Sequence, residues 1–213
     1  MGCVETAAIA HLLQPFIELD ETRLRSISTY IDLLLKWNAR MNLTAIRDSG
    51  EIVQRHFGES LFAAKYLLER ELPQTAIDLG SGAGFPGVPF ALIAPEVGMT
   101  LIESQQKKAT FLKELVHVLA IRNVKVFSGR AEGYPATADL VMLRAVEKFE
   151  QALPMAAGLT RTGGRIALMI GSGQNESARR LITDVNWSDA VAIPCSNSRD
   201  LLVGYKTMKS GVK

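Results

Sequence analysis

The densest chemical signal in the chain lies in Asp78-Leu79-Gly80-Ser81-Gly82-Ala83-Gly84-Phe85-Pro86-Gly87. An acid followed by glycines at alternate positions describes a backbone that turns sharply and lets a ligand approach without a Cβ in the way. Where such a turn opens a helix, the first helical amides favour an anionic group nearby. Pro86 suits that first helical turn, because its missing N–H costs little there. Gly82-x-Gly84-x-x-Gly87 matches the dinucleotide fingerprint literally, so a nicotinamide dinucleotide is one candidate ligand. Two features argue against it. Gly80 has already begun the turn, and Asp78 stands where a small apolar residue is usual. An acid at that point suits a ligand with an ammonium group, such as the methionine part of S-adenosylmethionine. Glu103 follows Gly84 by 19 residues, the spacing at which an acid bonds both ribose hydroxyls of either ligand. A plain strand-to-helix turn would account for the glycines but not for the two acids.

The surrounding elements must place these groups at one end of a sheet. After Pro73, short apolar runs alternate with helical patterns. Strands are expected at 75–79, 98–103, 123–127, 138–143 and 164–170, with helices at 87–94, 105–119, 147–158 and 174–185. That alternation predicts α/β architecture, a parallel sheet with right-handed crossovers and helices on both faces. Residues 189–195 and 201–208 read as two more strands joined by SNSRD, too short for a crossover helix, so an antiparallel hairpin is expected. The sum is a seven-stranded, mostly parallel sheet with a terminal hairpin. That count favours a Rossmann-like, class I S-adenosylmethionine-dependent methyltransferase over a dehydrogenase. Before residue 70 the pattern is helical. Leu24, Ile27, Ile31, Leu34 and Leu35 recur at helical spacing, and a second helix is expected over about 50–68 with Ser49 as its N-cap. Two units follow: an N-terminal helical extension, 1–70, and a Rossmann-like methyltransferase domain, 71–213.

Composition narrows the class without naming a reaction. The 213 residues are 47% hydrophobic and 22% charged, ordinary for a globular protein and incompatible with a disordered or collagenous chain. No apolar run approaches the ~20 residues of a membrane-spanning helix, and a secretory signal is not apparent. Cys3 and Cys195 are too few for a disulfide framework, which points to a reducing cytoplasm. Cys195 is expected to be a small buried apolar residue. Asn42 is expected to bond backbone near a helix end. His11, His56 and His117 lack metal-ligand spacing, so no metal is expected, and His56 is assigned a structural hydrogen bond. Charge is uneven. Residues 71–103 hold no Lys or Arg, whereas 104–130 hold six against the single acid Glu114. Lys107, Lys108 and Lys113 in that stretch are candidate contacts to RNA phosphates; a solvated helix face is the alternative.

Several segments, in order, resemble the bacterial small-subunit rRNA guanine-N7 methyltransferase family, also called glucose-inhibited division protein B. They are LLLKWNARMNLTAIRD (33–48), RHFGESL (55–61), AIDLGSGAGFPGVPFAL (76–92), ESQQKKATFLKEL (103–115), GRAE (129–132) and RAV (144–146). Glu59 departs from the pattern, where Asp is expected. The resemblance implies transfer of a methyl group from S-adenosylmethionine to N7 of a guanine in 16S rRNA, or in the small-subunit particle, by a monomer. It also implies cofactor contacts from Gly80, Phe85, Ala131, Glu132 and Arg144. Arg144 at a strand end has the fork to hold a carboxylate or a phosphate; a salt bridge to Glu147 is the alternative. Guanine N7 carries a lone pair and no proton, so alignment and electrostatics would suffice without a general base. Other acceptors lack their marks. The Asn/Asp-Pro-Pro-aromatic loop of adenine amino methylation is replaced by Arg-Ala-Val, and Cys195 lies on the wrong strand for attack on cytosine C5.

Overall fold

A computed structural model describes residues 4–145 and 148–207. The chain begins with α1 (Thr6–Leu13) and α2 (Glu21–Asn38), the latter capped by the Asp20 side chain, which accepts from the Arg23 amide. The expected helix over 50–68 is three pieces: α3 (Ser49–Glu51), a π-helical stretch Ile52–Gly58, and α4 (Glu59–Leu68). Its N-cap is Asp48 rather than Ser49, because the Asp48 carboxylate reaches the Glu51 amide at 2.8 Å.

The α/β part follows: β1 (Thr75–Leu79), α5 (Gly87–Ile93), β2 (Gly98–Glu103), α6 (Gln106–Val118), β3 (Val124–Ser128), β4 (Ala138–Arg144), α7 (Phe149–Leu159) and β5 (Thr160–Gly171). Strands β1 to β5 are parallel, in the order β3-β2-β1-β4-β5. Strand order reverses between β1 and β4, so the loops leaving their carboxyl ends diverge and open a crevice.

The terminal strands correct the expectation. After α8 (Asn175–Leu181) come β6 (Val185–Trp187), β7 (Val191–Ala192) and β8 (Arg199–Lys206), which make eight strands among the described residues rather than seven. β8 inserts antiparallel between β5 and β6, and β7 pairs with β8 only through Val191 and Ala192. The expected partner at 189–195 is thus one interrupted edge that begins earlier, at Val185. Cys195 sits in the loop beyond it and is exposed, not buried.

Alternate residues of the strands feed two apolar layers. Leu140 and Met142 join Ile9, Ile31, Phe57, Leu61, Phe90 and Leu112 on one face, whereas Val141 and Leu143 join Leu153, Ala156 and Ile182 on the other. The N-terminal helices therefore share a core with one face of the sheet, which brings residues 42–59 to the crevice. Among the described residues no helix is long and apolar enough to cross a membrane.

Candidate functional site

The glycine turn after β1 is built around three left-handed residues: Gly80 at φ 74°, Gly82 at φ 55° and Gly84 at φ 94°. Gly80 and Ser81 donate to the Ile102 carbonyl at 2.9 and 3.0 Å, which ties the turn to β2. Gly84 is required for space as well, since a Cβ there would strike the hydroxyl of Tyr30. That hydroxyl donates to the Ala83 carbonyl at 2.5 Å, so α2 holds the turn from behind. Glu103, at the end of β2, accepts from the Gly82 amide at 2.9 Å and from the Gln105 amide at 2.7 Å.

These groups form one wall of a cleft of about 830 Å³ at the carboxyl ends of the strands. Gly80, Gly82, Phe85, Glu103, Lys108 and Arg144 all line it. The other expected site residues do not. Asp78 is fully buried behind the turn, where Oδ2 accepts from the Gly87 amide at 3.0 Å and Oδ1 has no partner. Gly84 lies under the turn. Ala131 and Glu132 form a short 3₁₀ turn past β3, beside the end of β2. Lys107 lines a neighbouring depression instead, and Lys113 is exposed further along α6.

Arg144 is nearly buried, at 8% exposure, and its guanidinium is held from the N-terminal helices. Nη2 donates to Glu59 Oε2 at 2.8 Å and to the Arg55 carbonyl in the π-helical stretch, while Nη1 donates to His56 Nδ1 at 3.1 Å. His56 Nε2 meets Thr44 Oγ1 at 2.8 Å, and that hydroxyl also accepts from the Ile46 amide. With Nδ1 accepting, His56 carries its proton on Nε2 and donates it to Thr44. Glu59, which departs from the family pattern, is therefore the ionic partner of Arg144, and Arg199 stands 3.7 Å from the same carboxylate. Glu147 lies outside the described residues. Phe85 is clamped between Tyr30 and His56, with ring centroids 5.1 and 4.8 Å apart.

Asn42, Thr44, Arg47, His56 and Lys148 also line the cleft, and none was picked out as a ligand contact from the sequence. For Asn42, Thr44 and Arg47 the signal was present in the KWNARMNLTAIRD segment, and for His56 in RHFGESL, but neither had a spacing rule attached; Lys148 lies outside both. Asn38, not Asn42, does the backbone bonding there: its Oδ1 accepts from the Leu43 and Thr44 amides and its Nδ2 donates to the Thr44 carbonyl. Asn42 itself is exposed at the cleft.

Burial has opposite consequences for two acid–base groups. Desolvation pushes Asp78 up to about 7, despite the Gly87 and Ser81 hydrogen bonds. Desolvation, then the Arg144 charge, depresses His56 to about 3, so it is neutral at physiological pH. An acid whose folded pKa is raised contributes stability that fades as pH climbs from about 4 to 7. A base whose folded pKa is lowered contributes stability that fades as pH falls from about 6.5 to 3. The two slopes oppose each other between about pH 4 and 6.5. Chemical unfolding over pH 4–8 should show Asp78→Asn gaining on the wild type as pH rises to about 7. His56→Gln should gain on it as pH falls below about 6.5. Parallel curves for all three proteins would contradict both assignments.

A glycine turn, a ribose-spaced acid, a crevice at the strand-order reversal and an antiparallel end to the sheet together define a Rossmann-like methyltransferase. The chain spans 95% of itself and 97% of a putative O-methyltransferase from Klebsiella pneumoniae, with TM-score 0.63 and 13% identity. It overlaps TYW2 of P. horikoshii, solved in complex with MeSAdo, over 72% of this chain and 63% of that one, with TM-score 0.59 and 16% identity. The pattern that defines the rRNA small subunit methyltransferase G family matches residues 23–200. Ribosomal RNA small subunit methyltransferase G of Roseiflexus castenholzii is 39% identical over 203 residues, covering 89% of this chain and 86% of that protein. The enzyme of the same name from Neisseria meningitidis serogroup B is 37% identical over 170 residues, covering 79% and 81%. The chain belongs to this family and is an S-adenosylmethionine-dependent methyltransferase of small-subunit rRNA.

Proposed function

We propose that the chain, as a cytoplasmic monomer, methylates N7 of a guanine in 16S rRNA, and that the cleft beside Gly80, Glu103 and Arg144 seats the cofactor. The observation that carries the reading is the make-up of the walls. A cleft of about 830 Å³ falls in the ~300–1,000 Å³ range of small-molecule sites. It is lined by exposed glycine backbone and one carboxylate on the β1–β2 side, and Arg47, Lys108 and Lys148 also contribute to its lining. The first set suits a nucleoside and the second an RNA phosphate chain.

When bound, S-adenosylmethionine supplies an electrophilic methyl group on a sulfonium. Each Glu103 oxygen already accepts one amide and keeps a lone pair free for a ribose hydroxyl. The Gly80–Gly82 backbone allows close approach, and Phe85 closes the floor. Ala131 and Glu132, past β3, take the adenine side. Asp78, buried behind the turn, fixes it through the Gly87 amide. Arg144 positions a carboxylate or phosphate, with Glu59, His56 and the Arg55 carbonyl fixing its plane.

The hydrogen bonding of His56 supports an acceptor that has no proton to lose. Both of its nitrogens are engaged and its pKa lies near 3, so it is not poised as a general base. The single-turnover rate with saturating RNA and cofactor should therefore be nearly flat from about pH 6.5 to 8.5. An inflection near pH 7, from Asp78, belongs instead to the apparent cofactor affinity. A log-linear rise of the chemical rate with pH, after controls for RNA folding and binding, would reject N7 chemistry.

A further inference from the structure

We propose that a second depression, next to the cofactor cleft, binds an RNA nucleotide that flanks the methylated guanine, an inference that rests on the RNA-methylation reading above. The depression measures about 310 Å³ and lies where the end of α2 meets the start of α6. It is lined by Lys36, Trp37, Arg40, Met41, Lys107 and Thr110. Helical spacing continues past the end of α2, since the Met41 amide donates to the Trp37 carbonyl at 3.0 Å. Trp37 and Met41 therefore stack as one apolar strip, and Lys36 and Arg40 as a cationic strip beside it. The indole is half-buried and anchored edge-on against Phe111, with centroids 5.7 Å apart, so it is held in place where it borders the depression.

The charges around it set the depression apart from the rest of α2. Arg23 and Arg25 on the same helix are paired with Asp20 and Glu21. Lys36, Arg40 and Lys107 are exposed, pair with no carboxylate among the described residues, and share the depression with no acid. A fixed aromatic ring with unneutralised cations around it matches a nucleotide, the base on the ring and the phosphates on the cations. An acidic peptide without a flat ring would leave Trp37 and Met41 unmatched, and an apolar helix would leave the three cations unmatched.

Position supplies the link to the reaction. Met41 lines the depression and Asn42 the cofactor cleft; Lys107 lines the depression and Lys108 the cleft. Consecutive Cα atoms are about 3.8 Å apart, so the two cavities share a thin wall. A strand leaving the cleft over Asn42 and Lys108 arrives at Trp37.

The test uses the full chain and protein-free 16S rRNA, with affinity followed against salt. Trp37→Leu should weaken RNA binding roughly 5- to 150-fold, the loss expected for one stacked base. Trp37→Phe, which keeps a flat ring, should retain most of the affinity. Lys36→Ala combined with Arg40→Ala touches only exposed side chains, and should lower the magnitude of the log–log salt slope by about 1.4. Cofactor affinity should not change in any of them. In a Trp187→Phe background Trp37 is the only tryptophan, and its fluorescence should be quenched by the RNA. Unchanged affinity and slope in the leucine and double-alanine variants, while the wild type binds and methylates the same RNA, would overturn the subsite and leave the proposed function standing. If the wild type neither binds nor methylates rRNA, the functional reading itself fails, and the subsite with it. Normal binding of free rRNA but weakened binding of the small subunit would assign the depression to a ribosomal protein and overturn the RNA assignment.

Discussion

Gly80→Val is expected to lower affinity for S-adenosylmethionine at least about 100-fold while the protein still unfolds as a cooperative unit. Gly80 lines the cleft at φ 74°, where a β-branched residue is a genuine outlier. Holding valine there costs ~1–3 kcal/mol of backbone strain. Relaxing that strain moves the turn away from its bonds to the Ile102 carbonyl, and either outcome puts a branched side chain at the ligand wall. A domain stable by ~5–15 kcal/mol survives such a cost. Calorimetric titration beside thermal unfolding separates the two effects. Gly84→Ala provides the contrast, because its new methyl meets the Tyr30 hydroxyl under the turn and should lower the melting temperature. Native affinity in Gly80→Val would reduce the turn to a structural feature.

Arg144→Ala is expected to cut the single-turnover rate by about two to three orders of magnitude, the usual cost of losing one preorganised donor that acts in the transition state. The substitution also strands Glu59, which is buried, with Arg199 as its nearest remaining cation. Removing one partner of a buried pair typically costs ~3–5 kcal/mol of stability. Rates must therefore be measured well below the unfolding transition. Arg144→Lys should rescue only part of the rate, because a point charge cannot reproduce a fork that meets Glu59, His56 and the Arg55 carbonyl together. Arg144→Ala combined with Glu59→Gln restores electrical balance. It should recover stability without recovering the rate, and a recovered rate would make Arg144 purely structural.

The parallel strands were legible because each is a short apolar run bounded by Gly, Pro or polar residues, and a crossover allows only one hand. β1 and β2 run at Thr75–Leu79 and Gly98–Glu103, where the pattern put them. The end of the sheet was less legible, since β8 enters between β5 and β6 through pairings that no local period encodes. β6 (Val185–Trp187) falls between the expected helix at 174–185, which takes in Val185, and the expected strand at 189–195, whereas α8 ends at Leu181. The π-helical stretch Ile52–Gly58 has the same hydrophobic pattern as an α-helix, so nothing announced that the Arg55 carbonyl would accept from Arg144. Residues on the β1, β2 and β4 ends could be read from motif spacing. Thr44, on the loop after α2, and His56 and Glu59, on the helical stretch that follows, could not, because they join the Arg144 network from 85–100 residues earlier in the chain, an association made only by packing.

The most direct test incubates the purified chain with S-adenosylmethionine carrying a labelled methyl group and unmodified small-subunit rRNA, free and as the assembled particle. The RNA is then digested to nucleosides, and the labelled nucleoside is identified by mass spectrometry and mapped. The label should appear as 7-methylguanosine at a single position of 16S rRNA, and its appearance should depend on Gly80 and Arg144. Label on any other base or atom, or on no RNA at all from a protein that binds the cofactor, would contradict the assignment.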